Sequence, residues 1–222
     1  MKTIARIRSD FGEKFGIPRQ SGLADNEATI IFEKEYRCDE ALRGIEDYSH
    51  LWLLWEFSKA KDAKWSPTVR PPRLGGNKRM GVFATRSPFR PNPIGLSSVE
   101  LLRVEKTKES GTVLVVKGAD LLDGTPIYDI KPYIPYCDCH PDARGSFAQE
   151  KLKYSLKVSC DEGVINILPE NKREALLQIL SQDPRPQYIE DPLRVYGFEY
   201  ASHEVKFSVN GDTLSVLSIE KK

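Results

Sequence analysis

One stretch of the chain concentrates positive charge with no compensating acid. Between Ala63 and Val99 there is no Asp or Glu but seven Lys or Arg residues, a local charge of +7. Prolines adjoin several of these arginines, and because proline fixes φ, they hold the guanidinium groups on a stiff backbone. A planar guanidinium suits the recognition of phosphate or carboxylate. The stretch therefore predicts an anion-binding surface, with an ordinary solvated charged face as the alternative.

Five cations of this stretch are candidate contacts to the phosphates of a nucleic acid, since phosphate backbones bind clusters of Lys and Arg. They are Arg70, Arg73, Lys78, Arg79 and Arg90. Binding through such contacts weakens as the salt concentration rises. The chain as a whole has a formal net charge of only +1, which by itself predicts no affinity for nucleic acid.

A second segment places polar side chains at strand spacing. Asp129, Lys131 and Tyr133 alternate with Ile130 and Pro132, so a strand here projects the three polar groups onto one face. Such a trio could position a substrate or transfer a proton. A cross-strand ladder of ion pairs is an equally good interpretation of the same residues.

The sequence argues against several other chemistries. Cys137, Cys139 and His140 are of the types that bind zinc, but a closed site needs four ligands and no second pair is nearby, so we expect reduced thiols and no metal. The chain contains no GxGxxG, no P-loop motif and no HExxH motif. Rossmann-type dinucleotide binding, NTP hydrolysis and zincin chemistry therefore lack support.

Short alternating runs predict a mainly β protein. The expected strands are 3–8, 29–32, 51–57, 80–85, 97–104, 112–117 and 127–133, with a helix over 39–45. Since a closed barrel leaves few strand edges exposed, we predict an antiparallel β-barrel for the N-terminal domain, residues 1–140.

After Tyr133 the pattern breaks into a polar loop, where we place the domain boundary. Residues 150–222 predict a small α+β C-terminal domain. Its expected elements are a strand over 152–158, a helix over 170–180, and a hairpin of 203–209 with 213–219. The hairpin is indicated by Asn210-Gly211 between two alternating runs.

Composition sets the remaining bounds. The longest strongly apolar run, Leu51 to Trp55, is far shorter than the roughly 20 residues that cross a bilayer. The N-terminus has no apolar region typical of a secretory signal. We therefore expect a cytoplasmic protein with no membrane partner.

Several ordered motifs carry a resemblance to a known family. They are Ile17 to Gly22, Ser49 to Trp52, Val69 to Ser97, Asp123 to Tyr133, Gln182 to Pro186, and Tyr196-Gly197. Together they resemble the TrmO (YaeB/TsaA-like) family of tRNA methyltransferases, and the match spans nearly the whole chain.

The resemblance implies an S-adenosyl-L-methionine-dependent enzyme built on a β-barrel, working as a homodimer. It implies methylation of the exocyclic nitrogen of threonylcarbamoyl-adenosine beside the anticodon, with the tRNA anticodon loop as partner and no DNA. Carried over by position, the cofactor contacts are Gln20, Ser21, Gly22, Phe57, Ser58, Arg86, Leu96, Asp123, Gly124, Thr125 and Pro126.

Methyl transfer to a nitrogen releases a proton, and we expect Asp129 or Tyr133 to accept it, with Lys131 lowering the pKa of its partner. Two alternatives remain open at this point. One is an enzyme with the same cofactor and a different RNA or small-molecule acceptor. The other is an RNA-binding barrel without catalytic activity. Family analogy transfers cofactor use more safely than substrate.

Overall fold

The structure is a computed structural model that describes residues 1–60, 64–71, 78–146, 154–185 and 191–222. The predicted mainly β class is confirmed. In chain order the strands are β1 (Ala5–Arg8), β2 (Glu27–Phe32), β3 (His50–Glu56), β4 (Thr68–Val69), β5 (Met80–Gly81), β6 (Ile94–Thr107), β7 (Gly111–Lys117), β8 (Pro126–Pro132), β9 (Lys157–Ser159), β10 (Tyr196–Tyr200), β11 (His203–Asn210) and β12 (Thr213–Lys221).

Six of these strands form one antiparallel sheet with the order β1-β2-β7-β6-β3-β8. The last strand pairs back with the first, through Ala5 opposite Ile127 and Arg6 opposite Pro126, so the sheet closes on itself. Burial alternates along β1, β2 and β3, as strand geometry predicts, whereas in β7 the four residues from Val113 to Val116 are all buried. In β3, for example, Leu51, Leu53 and Trp55 are buried inside while the residues between them face outward.

A second sheet has the order β10-β11-β12-β9, in which β9 runs parallel to β12 and the other pairs are antiparallel. Three α-helices are described: α1 (Pro135–Asp138), α2 (Glu162–Ile165) and α3 (Glu170–Ser181). Helix α3 buries Ala175, Leu176, Ile179 and Leu180, the apolar positions of the predicted helix. None of the described helices is long and apolar enough to cross a membrane.

Each sheet has its own hydrophobic core. The core of the second sheet also includes residues from the N-terminal part of the chain. Phe11 and Ala24 are buried in it, and Phe15 and Ile17 pack against it. The segment from Phe11 to Ala24 therefore leaves the closed sheet after β1, packs on the C-terminal part, and returns to begin β2.

Three expected elements differ from the structure. Of the strand expected over 152–158, the structure has only the part that begins at Lys157, since β9 spans Lys157–Ser159, residues 154–156 are irregular, and 152–153 lie outside the described residues. Residues 39–45 form two short 3-10 turns, Asp39–Leu42 and Ile45–Asp47, because Gly44 between them takes a left-handed φ of 84°. Seven residues are in any case too few for a stable α-helix without packing. The expected strand over 80–85 ends at Gly81, where the chain turns into a 3-10 turn at Val82–Ala84.

Sequence analysis did not identify strand β10. Its residues alternate between buried Tyr196, Phe198 and Tyr200 and more exposed Gly197 and Glu199. A glycine within so short a run weakens a strand assignment from sequence. Pairing with β11 along its whole length compensates for that weakness.

Candidate ligand-binding cleft

A cleft of about 480 Å³ opens beside the closed sheet. Its walls come from four segments of the chain that are distant in sequence: 14–20, 55–60, 85–96 and 120–125. The volume falls within the range of small-molecule and cofactor sites, roughly 300–1,000 Å³. The four segments must therefore keep fixed positions relative to one another for the cavity to form.

The cleft brings together six of the residues expected to contact a cofactor: Gln20, Phe57, Ser58, Arg86, Leu96 and Thr125. The other five are not among the residues that line the cleft: Ser21, Gly22, Asp123, Gly124 and Pro126. Of these, Ser21 and Gly22 follow Gln20 directly, and Asp123 to Pro126 surround Thr125.

The cationic part of the cleft is ordered by a polar contact between two loops. The Arg86 guanidinium donates a hydrogen bond to the Gln20 side-chain oxygen, although the two residues are 66 positions apart. Both line the cleft. Arg86 is exposed apart from this contact, so its charge is accessible to an anionic group of a ligand.

A half-buried carboxylate, Asp120, lines the cleft beside this arginine. Ser97 Oγ donates to Asp120 Oδ1 at 2.5 Å and accepts from Trp55 Nε1 at 3.0 Å. Burial raises the pKa of Asp120, while the bonds from Ser97 and the Ser21 amide and the charge of Arg86 act in the opposite direction. Burial has the larger effect, so the carboxylate is incompletely compensated by its surroundings.

An aromatic wall faces these polar groups. The Trp55 and Phe57 rings meet edge to face with centroids 4.3 Å apart. Gly95 lies opposite Trp55 in the sheet, and a Cβ on Gly95 would come within 2.2 Å of the indole ring. Glycine is therefore required at position 95 for the indole to lie flat against β6. Leu96 beside it is 53% exposed and offers an apolar contact at the mouth of the cleft.

Close backbone packing positions the loop that carries Gln20. The Gly22 amide donates to the Gly118 carbonyl at 2.9 Å. Both glycines have a positive φ, and a Cβ on Gly118 would lie 3.1 Å from the Gly22 backbone. A side chain at position 118 would press on the Gly22 backbone, whereas at Gly22 it is the positive φ alone that favours glycine. Together the two glycines explain how residues 20–22 reach the end of β7.

The chain makes a tight turn from Asp123 to Thr125, directly before β8 begins at Pro126. Asp123 Oδ1 accepts the Ser9 amide at 2.9 Å, so this carboxylate is engaged with the β1 end of the chain and not with the cleft. Thr125 is buried, and its hydroxyl donates to the Leu122 carbonyl at 2.6 Å. The turn therefore contributes the Thr125 surface to the cleft and holds β8 against β1.

A second acid, Glu56, also lines the cleft. Glu56 interacts with Tyr128 of β8. Burial of Tyr128, the hydrogen bond between the two residues and the charge of Glu56 together raise the pKa of Tyr128 to about 12. Tyr128 therefore stays protonated at neutral pH and can donate to that carboxylate. Glu56 and Asp120 are the two acids among the described lining residues.

Asp129 and Lys131 share one face of β8, as the alternation predicts, and Tyr133 follows directly after the end of this strand. Lys131 Nζ lies 2.8 Å from Asp129 Oδ2, and both side chains are substantially exposed. They stand beside the outward residues of β3, since Lys131 is opposite Trp52 and Asp129 is opposite Leu54. This face is the outside of the closed sheet, and the three residues lie outside the described lining of the cleft.

Tyr133 lies near two aromatic neighbours, with ring centroids 5.6 Å from Trp52 and 6.1 Å from His50. Burial raises the pKa of Tyr133, and the neighbouring thiol of Cys139 raises it further. A phenol with a raised pKa is a better hydrogen-bond donor than proton acceptor at neutral pH. Asp129 is thus the better candidate base of the two.

Asp138 has a structural role in the Cys137 to His140 cluster. Its Oδ2 accepts hydrogen bonds from the Ile134 amide at 2.8 Å and from Trp52 Nε1 at 2.9 Å. Both bonds lower the pKa of the carboxyl, the bond from Ile134 by more than the bond from Trp52. Cys137 and Cys139 are exposed free thiols. Within the described residues, no three potential ligands are grouped so as to hold a metal ion.

The candidate phosphate contacts differ in how accessible their charges are. Arg70, Lys78 and Arg79 are exposed, whereas Arg73 lies outside the described residues. The Arg90 guanidinium points into its own loop, donating to the Thr85 carbonyl at 2.8 Å and the Val82 carbonyl at 3.3 Å. Arg90 therefore shapes the loop from Val82 to Arg90, in addition to carrying charge.

The donor set suits a zwitterionic cofactor such as S-adenosyl-L-methionine. Arg86 can pair with a carboxylate, Asp120 and Glu56 can face cationic groups, and Phe57 with Leu96 can enclose an aromatic base. Sequence reasoning missed Asp120, Glu56 and Ser97. The available signal was a lone acid after the buried strand β7, in Gly118-Ala119-Asp120.

Comparison with known proteins assigns the family. A model described as the tRNA-methyltransferase O N-terminal domain matches residues 6–139, and one described as the TrmO C-terminal domain matches residues 155–222. The chain is similar to a tRNA (adenine(37)-N6)-methyltransferase of Escherichia coli, at 44% identity over 230 residues, covering 99% of this chain and 97% of that protein.

A protein of the same name from Eikenella corrodens is 49% identical over 163 residues, covering 73% of this chain and 91% of the relative. A crystal structure of TrmO from Pseudomonas aeruginosa superposes with a TM-score of 0.76 at 37% identity, covering 98% of this chain and 96% of that one. Both matched models and these relatives lead to one conclusion: the chain belongs to the tRNA-methyltransferase O family of methyltransferases.

Proposed function

We propose that this protein transfers a methyl group from S-adenosyl-L-methionine to the exocyclic nitrogen of threonylcarbamoyl-adenosine next to the anticodon of tRNA. Membership of the tRNA-methyltransferase O family supports methyl transfer to tRNA, because relatives across the family are named tRNA (adenine(37)-N6)-methyltransferases. The threonylcarbamoyl group and the anticodon loop are our more specific proposals.

One observation supports the proposal most strongly. The cleft gathers Gln20, Phe57, Arg86 and Leu96 from separate loops into one cavity, and it places the incompletely compensated Asp120 among them. An anionic group, a cationic group and an apolar ring each find a suitable partner there. Ligand-binding sites typically combine an apolar lining with a few polar groups that fix the orientation of the ligand, and this cleft has both.

The bound cofactor supplies an activated methyl group on a sulfonium centre. The chain's own residues would mainly position it, because an in-line displacement needs little covalent assistance from the protein. We assign Arg86, held by Gln20, to the cofactor carboxylate. We assign Phe57 and Leu96 to the adenine, and Asp120 to the positive charge.

The proton that leaves the acceptor nitrogen needs a base. We propose Asp129 for this role, with Lys131 paired to it at 2.8 Å and Tyr133 as a hydrogen-bond donor to the acceptor. Asp129 and Leu96 lie on either side of Leu54 on the outer face of the sheet, since β8 and β6 both pair with β3. A group bound at the cleft mouth beside Leu96 could therefore meet both sets.

We propose that the active form is a cytoplasmic homodimer. Leu96 is 53% exposed beside half-buried Leu54 and Trp52 on the outer face of β6 and β3, an apolar surface suited to a second copy. Residues 1–140 would be the catalytic unit, and residues 150–222 the small C-terminal unit. Arg70, Arg73, Lys78 and Arg79 would contact RNA phosphates.

The test is methyl transfer from radiolabelled S-adenosyl-L-methionine to two tRNA pools, one carrying threonylcarbamoyl-adenosine and one lacking it. We expect label only in the modified pool. Label in both pools would overturn the proposed acceptor but leave the methyl transfer to tRNA. Label in neither pool would overturn the proposed activity.

Cofactor binding can be tested separately by calorimetry with the Arg86→Ala variant. We expect a loss of affinity of about tenfold to a hundredfold, the scale for losing one charge-assisted hydrogen bond of roughly 1.5–3 kcal/mol. Arg43→Ala is the matched control, since Arg43 is exposed and lies outside the described lining. Equal affinities for both variants would contradict the role of Arg86.

A further inference from the structure

Phe83 is an unusual surface residue. It is 74% exposed, although a phenyl ring has no polar atom that can form a hydrogen bond with water. It lies in the 3-10 turn Val82–Ala84, within the acid-free stretch and next to the cleft-lining residues Thr85 and Arg86. Its position, rigidity and surroundings together indicate a binding surface.

The turn that carries Phe83 is held from several sides. Val82 is 1% exposed, and its amide donates to the Pro67 carbonyl at 3.0 Å. The Thr85 hydroxyl donates to the Val82 carbonyl at 2.9 Å. The phenyl ring is thus presented on a fixed backbone, and little conformational entropy is lost when something binds to it.

Arg90 determines which side of the ring is available. Its guanidinium carbon lies 5.7 Å from the Phe83 ring centroid, over one face, while its hydrogen bonds to Thr85 and Val82 hold it in place. A cation on one face polarises the ring and leaves the opposite face to solvent. Flat π-systems bind to such a face by stacking.

The charge around Phe83 selects the class of partner. Lys78, Arg79 and Arg86 precede and follow it in sequence, and no acid occurs between Ala63 and Val99. Aromatic platforms set among cations are typical of proteins that bind single-stranded nucleic acid, where bases stack and phosphates pair with Lys and Arg. An apolar peptide would gain nothing from these cations.

We infer that Phe83 is a stacking platform for an unpaired nucleotide base of the RNA, one that flanks the nucleotide presented to the cleft. This inference rests on the proposed function, since it takes RNA as the substrate. Arg90 backs the ring, and Lys78 and Arg79 contact the phosphates on either side of the stacked base. The chain from Phe83 to Arg86 spans at most roughly 11 Å, which keeps the platform close to the cleft.

The experiment measures tRNA binding by fluorescence anisotropy at several salt concentrations for the wild type, Phe83→Ala and Phe83→Trp. We expect Phe83→Ala to weaken binding about fivefold to a hundredfold, the scale of one lost base–aromatic stack. The salt slope stays unchanged, because a phenyl ring releases no counterions. Phe83→Trp keeps full affinity, and its indole fluorescence changes when tRNA is added.

Tyr136→Ala is the matched control, since Tyr136 is 89% exposed but lies in α1, outside the acid-free stretch. It should bind tRNA like the wild type. Calorimetry with S-adenosyl-L-methionine should give one affinity for all variants, which shows that the cleft is undisturbed.

Unchanged tRNA affinity in Phe83→Ala, with the wild type binding normally, would overturn the platform and leave the proposed function standing. A loss in Phe83→Ala that comes with a changed salt slope, or with a change from dimer to monomer in sedimentation, would also overturn it. A wild type that binds no tRNA would overturn the proposed function itself.

Discussion

Two carboxylates, one in each half of the molecule, are withdrawn from solvent in different ways. Asp183, 1% exposed, follows α3 and is surrounded by donors: Arg185 binds both of its oxygens at 2.8 and 2.9 Å, and the Tyr154 hydroxyl donates to it at 2.9 Å. Asp120, in the cleft, is bonded mainly by Ser97 and a backbone amide.

The pKa values move in opposite directions as a result. Burial raises the pKa of Asp183, but the bonds from Arg185 and Tyr154 outweigh it, so the pKa lies below its usual value. Burial raises the pKa of Asp120, and its partners do not outweigh that effect. The bonds from Arg185 and Tyr154 thus compensate Asp183 fully, and we refer to these three residues as the clamp. Asp120, in contrast, retains capacity for a further positive partner.

Removing the charge of the clamp should have the largest effect. Asp183 has a φ of 52°, a conformation that Asn tolerates, so Asp183→Asn changes the charge without straining the backbone. We expect a loss of about 3 kcal/mol in the free energy of unfolding, since Arg185 is left buried without a carboxylate. Urea unfolding followed by circular dichroism measures it.

The control for this variant is Asp212→Asn, which removes an exposed carboxylate 3.3 Å from Lys157. Because solvent screens this exposed pair, the variant should unfold at nearly the same urea concentration as the wild type. Equal losses for the two variants would mean that the clamp contributes no more than a surface ion pair.

The hydrogen bonds that join Trp55, Ser97 and Asp120 should contribute less to the free energy of unfolding. Ser97→Ala leaves Trp55 Nε1 and Asp120 Oδ1 without their partner, and we expect a loss of about 1–3 kcal/mol in the free energy of unfolding. Near-ultraviolet circular dichroism should report the altered Trp55. Ser98→Ala, on the opposite face of β6, should stay within about 0.5 kcal/mol of the wild type.

The free energy of unfolding should depend on pH in opposite ways for the two carboxylates. The Asp183 contribution is fully present above the unfolded pKa, about 3.9, and is lost as the pH falls through the lower folded pKa. Asp183→Asn should therefore lose less stability than the wild type on acidification in that range.

Asp120 should behave in the reverse way. Its folded pKa is above the unfolded value, so its ionisation costs stability as the pH rises from the unfolded pKa through the folded one. Asp120→Asn should gain stability relative to the wild type over that interval. Parallel pH profiles of unfolding for the two variants would show that the carboxylates do not differ.

The smallest effect is expected at the exposed pair on β8. Lys131 and Asp129 have 63% and 44% of their side chains exposed, so solvent screens their 2.8 Å contact. Lys131→Met should change the free energy of unfolding by less than about 1 kcal/mol. A loss as large as that of Asp183→Asn would show that this pair is not a surface contact.

Much of the closed sheet was predictable, because alternation marks strands such as β1, β2 and β3, and a buried face fixes which residues point inward. Helix α3 and the β11–β12 hairpin were predictable for similar local reasons. The cleft was predicted only in part. Asp120 and Ser97 are single polar residues whose meaning depends on a contact between β6 and the end of β7, which no local pattern encodes.

The segment from Phe11 to Ala24 escaped prediction for a similar reason. It has no regular period, and its apolar residues are satisfied by a core that forms about 150 residues later in the chain. Arg19 in this segment donates to the Asp183 backbone carbonyl at 2.9 Å. The loop that carries Gln20 into the cleft is therefore fastened to the C-terminal part of the molecule.

That fastening matters for anyone who shortens the gene. A protein that stops after the closed sheet would leave Phe11, Phe15 and Ile17 without the core that covers them. Three large apolar side chains on one loop favour aggregation over a folded fragment. Expression of the first half alone should yield insoluble material, and co-expression of residues 154–222 as a separate chain should restore solubility.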